Sequence, residues 1–499
     1  MKILLASSEV HPYSKTGGLA DMVGALAKTL ARLGHQVGLV TPLYGGIRER
    51  FPALKRVPLP LDLPLGRRRA RGDVWSLEPE TGFTIYFVEQ RDFYQRSGLY
   101  QENGADYGDN AERFIFFSKA IAHLALNLPA QPDVVHLHDW QTGFAALFLH
   151  EQQRRAGQGS ARRICMTVHN LAYQGVFPRE QYALTNLPWE YFTPNGVEFY
   201  GQMNCMKAGL TWADVITTVS PGYAREITTE EFGCGLDGLL RQREGSIFGI
   251  SNGVDYDEWN TTQNPYLKHS FSATHLEGKR LNKLDLQKHL GLPVEARIPV
   301  FASIGRLVEQ KGMDILLGAL EEMLSVDLQF LLLGSGDPAF ERAFRELARR
   351  FPAQVAVHIG FDQGLAHQIE AGSDFFLMPS RFEPCGLNQM YSLRYGTIPV
   401  VRATGGLEDS VIDVQADAER ANGIKFGDYS ARALAKAIRK ALVLYAEPEL
   451  LHRFRLNAMA RNFSWDRTAA EYLKVYRRAV HEAGAIQSSN NPTPTLVEA

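Results

Sequence analysis

The sequence predicts an α/β protein built from two doubly wound lobes. Its 499 residues exceed what one core supports, because cores stop growing near roughly 250–300 residues. Short apolar runs rich in β-branched residues alternate with segments of helical period. That alternation lapses once near the middle of the chain and then resumes, which divides it into two lobes of one architecture.

In the first half the strand candidates are KILLAS from Lys2, HQVGLVT from His35, FTIYFVE from Phe83 and DVVHLHD from Asp133. RICMTVH from Arg163, DVITTVS from Asp214 and IFGIS from Ile247 follow. Amphipathic segments at 18–33 and 111–126 lie between them, so the sheet is expected to be mostly parallel with helices on its faces. The stretch 252–295, opening NGVDYDEWNTTQNPYLKH, is polar and reads as a linker that feeds a short helix.

The second lobe repeats the pattern with IPVFASIGR from Ile298, LQFLLLG from Leu328, VAVHIG from Val355, DFFLMPS from Asp374 and TIPVVRA from Thr397. Helices at 311–323 and 340–351 separate them. From Phe463, FSWDRTAAEYLKVYRRAV is one further amphipathic helix, and QSSNNPTPTLVEA from Gln487 reads as a disordered polar tail. The expected organisation is a Rossmann-like domain over 1–255 and a second over 256–462. A helix over 463–485 follows, ahead of a disordered 486–499.

A formal net charge of -2, with 22% charged and 45% hydrophobic residues, gives no footprint for nucleic acid or an anionic membrane. The opening MKILLASSEV is too short for a signal-peptide core and no apolar stretch spans a bilayer, so a cytoplasmic protein is expected. Cys165, Cys205, Cys234 and Cys385 lie far apart without a CxxC pair, which favours reduced thiols over a disulfide framework or thiolate zinc site.

Ligands of open α/β sheets sit beyond the carboxyl ends of the strands, so chemistry is sought there. After the first strand come Glu9, Pro12 and then 15–21, KTGGLAD, where a Gly pair opens a helix beside Lys15. Free amides and a cation make an anion site, although Gly-rich turns are common; neither the Walker loop nor the GxGxxG fingerprint is present. DVVHLHD ends in His136, His138, Asp139 and Trp140, and the next strand ends at His169 and Asn170. His-x-His is half of a metal site in a metal-dependent amidohydrolase, or a pair of satisfied sheet histidines. No third and fourth ligand follows at later strand ends, which favours the second. Asp139 and Trp140 suit a sugar, one as hydroxyl acceptor and the other as an apolar face.

In the second lobe Arg306 ends its strand and Lys311 follows before a helix, a pair that reads either as a diphosphate clamp or as a solvated surface pair. The loop from Arg381 to Asn388 presents Glu383 and then the amides opening another helix, suited to hydroxyls and to phosphate respectively. Cys385 at a helix start favours thiolate. Asp255-Tyr-Asp257 spells a DxD string but reads as a turn, and the run Arg67, Arg68, Arg69 and Arg71 reads as a solvated loop.

Taken together, these motifs resemble the bacterial glycogen synthases and plant starch synthases. The marks are KTGGLAD at 15–21, HDWQTG at 138–143, HNLAYQG at 169–175, SNGVD at 251–255, Gly305-Arg306 with Gln310-Lys311-Gly312, and the long run at 381–407. The resemblance implies the GT-B fold, two Rossmann-like lobes facing a central cleft, with the helix over 463–485 packing back on the first domain. It implies glucose transfer from ADP-glucose to the non-reducing end of an α-1,4-glucan with retention, releasing ADP, with no metal or other cofactor.

It implies catalytic roles for His169, Glu383, Asp139, Arg306 and Lys311. Donor contacts fall to Lys15, Gly18, Asp21, Asn252, Phe361, Cys385, Gly386 and Leu387, and acceptor contacts to Tyr94, Asp139 and Trp140. No carboxylate nucleophile accompanies the His169 motif, so a front-face route is expected in which the departing diphosphate helps to deprotonate the acceptor. The sequence departs from the family at Asn388 (often Thr), Met22 (often Val), Gly98 to Tyr100 (usually Pro before Tyr) and Phe361 (usually Tyr). Another transferase using a UDP-sugar, and a glucan-binding protein without turnover, are the alternatives.

Overall fold

The computed structural model describes residues 1–102, 104–155 and 162–489. The chain divides into two compact units. The first comprises Met1–Val219, Ala224–Ile250 and the stretch from Trp465; the second comprises Ser220–Tyr223 and Ser251–Ser464. Among the described residues no helix is long and apolar enough to cross a membrane.

The first unit holds a nine-stranded sheet. Its strands are β1 (Lys2–Ala6), β2 (Gln36–Pro42), β3 (Lys55–Leu65), β4 (Arg68–Glu80), β5 (Phe83–Glu89), β6 (Val134–His138), β7 (Arg163–Val168), β8 (Val215–Thr218) and β9 (Ile247–Gly249). Their spatial order is β9-β8-β7-β6-β1-β2-β5-β4-β3. All neighbours run parallel except β4, which is antiparallel to both β3 and β5. β6 is buried at every position, as a parallel strand covered on both faces must be. Helices α1 (Gly18–Arg32), α2 (Asn110–Asn127) and α3 (Trp140–Arg155) cover it, and Phe114, Phe116 and Phe117 of α2 are almost wholly buried.

The hairpin of β3 and β4 corrects the expectation of a basic loop. Arg68, Arg69 and Arg71 lie in β4, with Arg67 at the turn; Arg68 pairs with Glu112 at 2.6 Å and Arg69 with Asp62 at 2.9 Å. The chain's last helix, Trp465–Ser489, belongs to this unit. Its Tyr476 Oη lies 2.7 Å from His136 Nδ1, and Asp466 accepts from Arg32 of α1. Of the expected disordered tail, 490–499 lies outside the described residues.

The second unit holds six parallel strands: β10 (Val300–Ile304), β11 (Gln329–Gly334), β12 (Val355–Ile359), β13 (Phe375–Met378), β14 (Ile398–Arg402) and β15 (Ile424–Phe426). Their order is β12-β11-β10-β13-β14-β15, the doubly wound arrangement of a mononucleotide fold, with its switch point between β10 and β13. The segment expected as a plain linker is packed instead. Trp259, Leu267 and Phe271 join Tyr395 and Met459 in an apolar cluster, and Trp259 stacks on Tyr391 with ring centroids 3.7 Å apart.

Candidate active site

In the first unit β1 lies between β2 and β6, so the loops leaving β1 and β6 emerge at the switch point. The buried carboxylate of Glu9 shapes the first loop. It accepts from the Thr16 hydroxyl at 2.6 Å, the Thr16 amide, the Gly17 amide at 3.3 Å and Tyr100 Oη at 2.7 Å. With those amides taken, the donors left at the start of α1 begin at Gly18, and no side chain caps the helix. Lys15 Nζ stands 2.8 Å from Asp21 Oδ2 in the first turn of α1, which tethers the cation to that helix.

Beyond β6, Asp139 adopts a left-handed φ of 56°, a strained conformation for a residue with a side chain. Its Oδ1 accepts from the His169 amide at 2.8 Å. Burial pushes its carboxyl up to about 7, against the lowering effect of the His169 and Asn170 amides. Trp140 packs edge-on against Phe114 at 5.0 Å. A Cβ on Gly175 (φ 61°) would fall 2.2 Å from the Trp140 ring, so this glycine lets the HNLAYQG loop close over the HDWQTG turn. The two motifs also meet through their histidines, with His138 Nδ1 3.0 Å from His169 Nε2.

In the second unit Gly305 and Arg306 leave β10. Arg306 is exposed and forms no ion pair among the described residues. A short 3-10 turn, Glu309–Lys311, then delivers Lys311 Nζ to 2.5 Å from Glu383 Oε2 on the loop beyond β13. Ser380 donates to the same oxygen at 3.0 Å. Gly312 (φ 73°) makes the approach possible, since a Cβ there would sit 2.1 Å from the Pro379 carbonyl oxygen. Gly386 and Leu387 follow, and helix α4 (Asn388–Arg394) begins. Asn252 is buried with Oδ1 unpartnered among the described residues. Phe361, just past β12, is 89% exposed and offers a bare ring.

Two expectations are corrected. Tyr94 is wholly buried and donates its hydroxyl to the Arg113 carbonyl at 2.9 Å, so it supports the core and presents nothing to an acceptor. Burial raises the Cys385 thiol to about 12, which overrides any thiolate preference of a helix start. Asn388, where the family often has Thr, donates an amide hydrogen to the Ile304 carbonyl at 2.6 Å and so locks α4 to the end of β10.

The metal reading of the histidines meets a His136 whose two nitrogens are both engaged. His136 Nε2 lies 2.6 Å from Thr167 Oγ1 and Nδ1 meets Tyr476. Among the described residues no three His, Cys, Asp or Glu side chains are placed to share an ion. Asp255 accepts from the Asp257 amide at 2.9 Å and is a turn. A cavity of about 650 Å³ opens elsewhere, beside Asp62, Arg71 and Glu89, and touches none of these strand ends.

Sequence reasoning noted Glu9 without assigning its anchoring of the Lys15 loop, and it missed Ser380 and the Lys311–Glu383 pair. A lone carboxylate preceding a Gly-rich turn was the only available signal for the first.

Residues 2–242 match the family model described as starch synthase catalytic domain, and 292–461 match glycosyl transferases group 1. The chain is 48% identical to a glycogen synthase of Anaeromyxobacter sp. (strain Fw109-5), covering 96% of this chain and 99% of that protein. It is 44% identical to glycogen synthase 1 of Geobacter sulfurreducens, with 97% of each covered. Among solved structures it resembles the catalytic domain of starch synthase IV from Arabidopsis thaliana bound to ADP and acarbose. That match has a TM-score of 0.85 and 33% identity, covering 96% of this chain and 99% of the other. A sucrose-phosphate synthase from Thermosynechococcus elongatus shares the fold at a TM-score of 0.60 and 18% identity, covering 96% and 99%.

Proposed function

Because the chain belongs to the glycogen and starch synthase family of GT-B glycosyltransferases, we propose that it transfers glucose from ADP-glucose to the non-reducing end of an α-1,4-glucan. Configuration is retained and ADP is released. A cytoplasmic location fits a nucleotide-sugar donor.

The observation that carries the reading is the Lys311–Glu383 pair at the β10–β13 switch point. A lone surface lysine would be solvated, whereas this one is held by a buried carboxylate next to loop amides. Breaking the glucose–phosphate bond leaves negative charge on the diphosphate. Lys311, Arg306, which forms no ion pair among the described residues, and the amides of Gly386 and Leu387 receive that charge; in the first unit Lys15, oriented by Asp21, and the Gly18 amide form an anion site of the same kind. Glu383 accepts hydroxyls of the glucose, whose ring gains positive charge as the bond lengthens.

His169 contacts the same sugar, while Asn252 and Cys385 line the donor pocket and Phe361 stacks on the base. Asp139 and Trp140 meet the acceptor. The departing diphosphate oxygen takes the proton of the attacking glucan hydroxyl, which forms the new bond on the face the leaving group vacates. The test is to incubate the protein with glycogen and either labelled ADP-glucose or labelled UDP-glucose. Label should enter the polymer with ADP-glucose and free ADP should match it; glucan binding without label transfer would sink the proposal.

A further inference from the structure

These roles leave His138 unassigned, although its ring is fully buried beside His169. Its Nδ1 lies 3.0 Å from His169 Nε2, and its Nε2 is buried without a partner among the described residues. Neighbouring His136 is no substitute partner, since both of its nitrogens are engaged by Thr167 and Tyr476. Burial holds both rings of the pair neutral, pulling His169 down to about 3 and His138 well below the usual range.

A neutral imidazole carries one N–H, so one ring donates to the other and two arrangements exist. If His169 donated from Nε2, His138 would carry its hydrogen on Nε2, a buried donor with no acceptor. Orphaned buried N–H groups are rare in native structures because they forfeit a full hydrogen bond. If His138 donates from Nδ1, its Nε2 keeps only a bare lone pair, and His169 must carry its own hydrogen on Nδ1. That nitrogen has no partner among the described residues.

We infer that His138 is a positioning residue that donates Nδ1–H to His169 and so fixes the tautomer in which His169 offers Nδ1–H to an oxygen of the transferred sugar. The sugar as ligand rests on the proposed function; the tautomer does not. The opposite tautomer would present a lone pair to the sugar and repel any oxygen that was not itself donating.

Two variants of the full chain separate positioning from mere filling. Asparagine places an amide nitrogen where Nδ1 stood, and glutamine places one where Nε2 stood. His138→Gln is expected to lower kcat about a hundredfold, the cost of one preorganised donor, with the KM for ADP-glucose little moved. His138→Asn is expected to recover most of that loss. Equal loss of kcat in both would overturn the inference.

Long-range proton–nitrogen correlation of the imidazoles in the unaltered protein, assigned by comparison with His169→Gln, reads the tautomer without turnover. An Nδ1–H His169 is expected, and an Nε2–H His169 would overturn the inference even if both variants misfolded. Failure of the unaltered protein to use ADP-glucose would instead strike the proposed function.

Discussion

Lys311 Nζ stands 2.5 Å from Glu383 Oε2, joining the loop that leaves β10 to the loop that leaves β13. The lysine is partly exposed and the glutamate almost fully buried, so the pair turns one cationic face outward from a fixed base. An ammonium held in this way needs little reorganisation when negative charge develops beside it.

Lys311→Ala is therefore expected to lower turnover about a hundredfold to a thousandfold. Arg306→Lys should also be costly, because a point charge cannot reproduce a guanidinium fork on two phosphate oxygens. Steady-state kinetics on folded variants checks both, and near-normal turnover in Lys311→Ala would remove it from the reaction.

Glu383→Gln keeps an acceptor for Ser380 but removes the charge that holds Lys311 and that, in the proposed reaction, grips the sugar. Its kcat should fall more than its KM for ADP-glucose rises. Combined with Lys311→Ala, it should show a coupling of about 0.5–3 kcal/mol in transition-state energy, as contacting residues do. Strict additivity would mean the two act separately.

Most strands were legible in the sequence because parallel strands covered on both faces read as continuous apolar runs. The β3–β4 hairpin was not. Pro58, Pro60 and Pro64 interrupt β3, and prolines signal a loop unless the strand is known to lie at a sheet edge, as β3 does. The packing of Trp259 was hidden for another reason, since Tyr391 and Tyr395 lie far along the chain. Within the site, residue types at strand ends were readable. Which of them touch was not, because 72 residues separate Lys311 from Glu383 and only the sheet order brings them together.

Asp139 gives a prediction with a definite sign. Burial raises its folded carboxyl to about 7, whereas an unburied aspartate releases its proton near 3.8. Between those values the native state binds the extra proton, so its stabilising share is full below about pH 4 and lost as pH rises through 7. Asp139→Asn retains an acceptor for the His169 amide without the buried charge. It should stabilise the protein by about 2 kcal/mol at pH 8, allowing for partial exposure, and by nothing at pH 4. Thermal melts at the two pH values check this, and a gain that did not change with pH would contradict it.

Phe361 exposes its ring and supports no core, so Phe361→Ala should leave the melting temperature unchanged. Loss of one stacked base is worth about 1–3 kcal/mol by alanine substitution, so the KM for ADP-glucose should rise roughly fivefold or more with kcat little altered. An unchanged KM would free the ring from any donor role.

In the proposed reaction Arg306 and Lys311 supply, from the chain itself, the positive charge that meets the leaving diphosphate. Two unit charges about 4 Å apart interact by roughly 4 kcal/mol at an effective dielectric of 20, enough to matter for a breaking bond. The direct measurement is ADP release from ADP-glucose, with glycogen as acceptor, after exhaustive EDTA treatment. Full turnover after chelation, together with a folded and nearly inactive Lys311→Ala, is the expected result. Turnover abolished by EDTA and restored by an added divalent ion would contradict it.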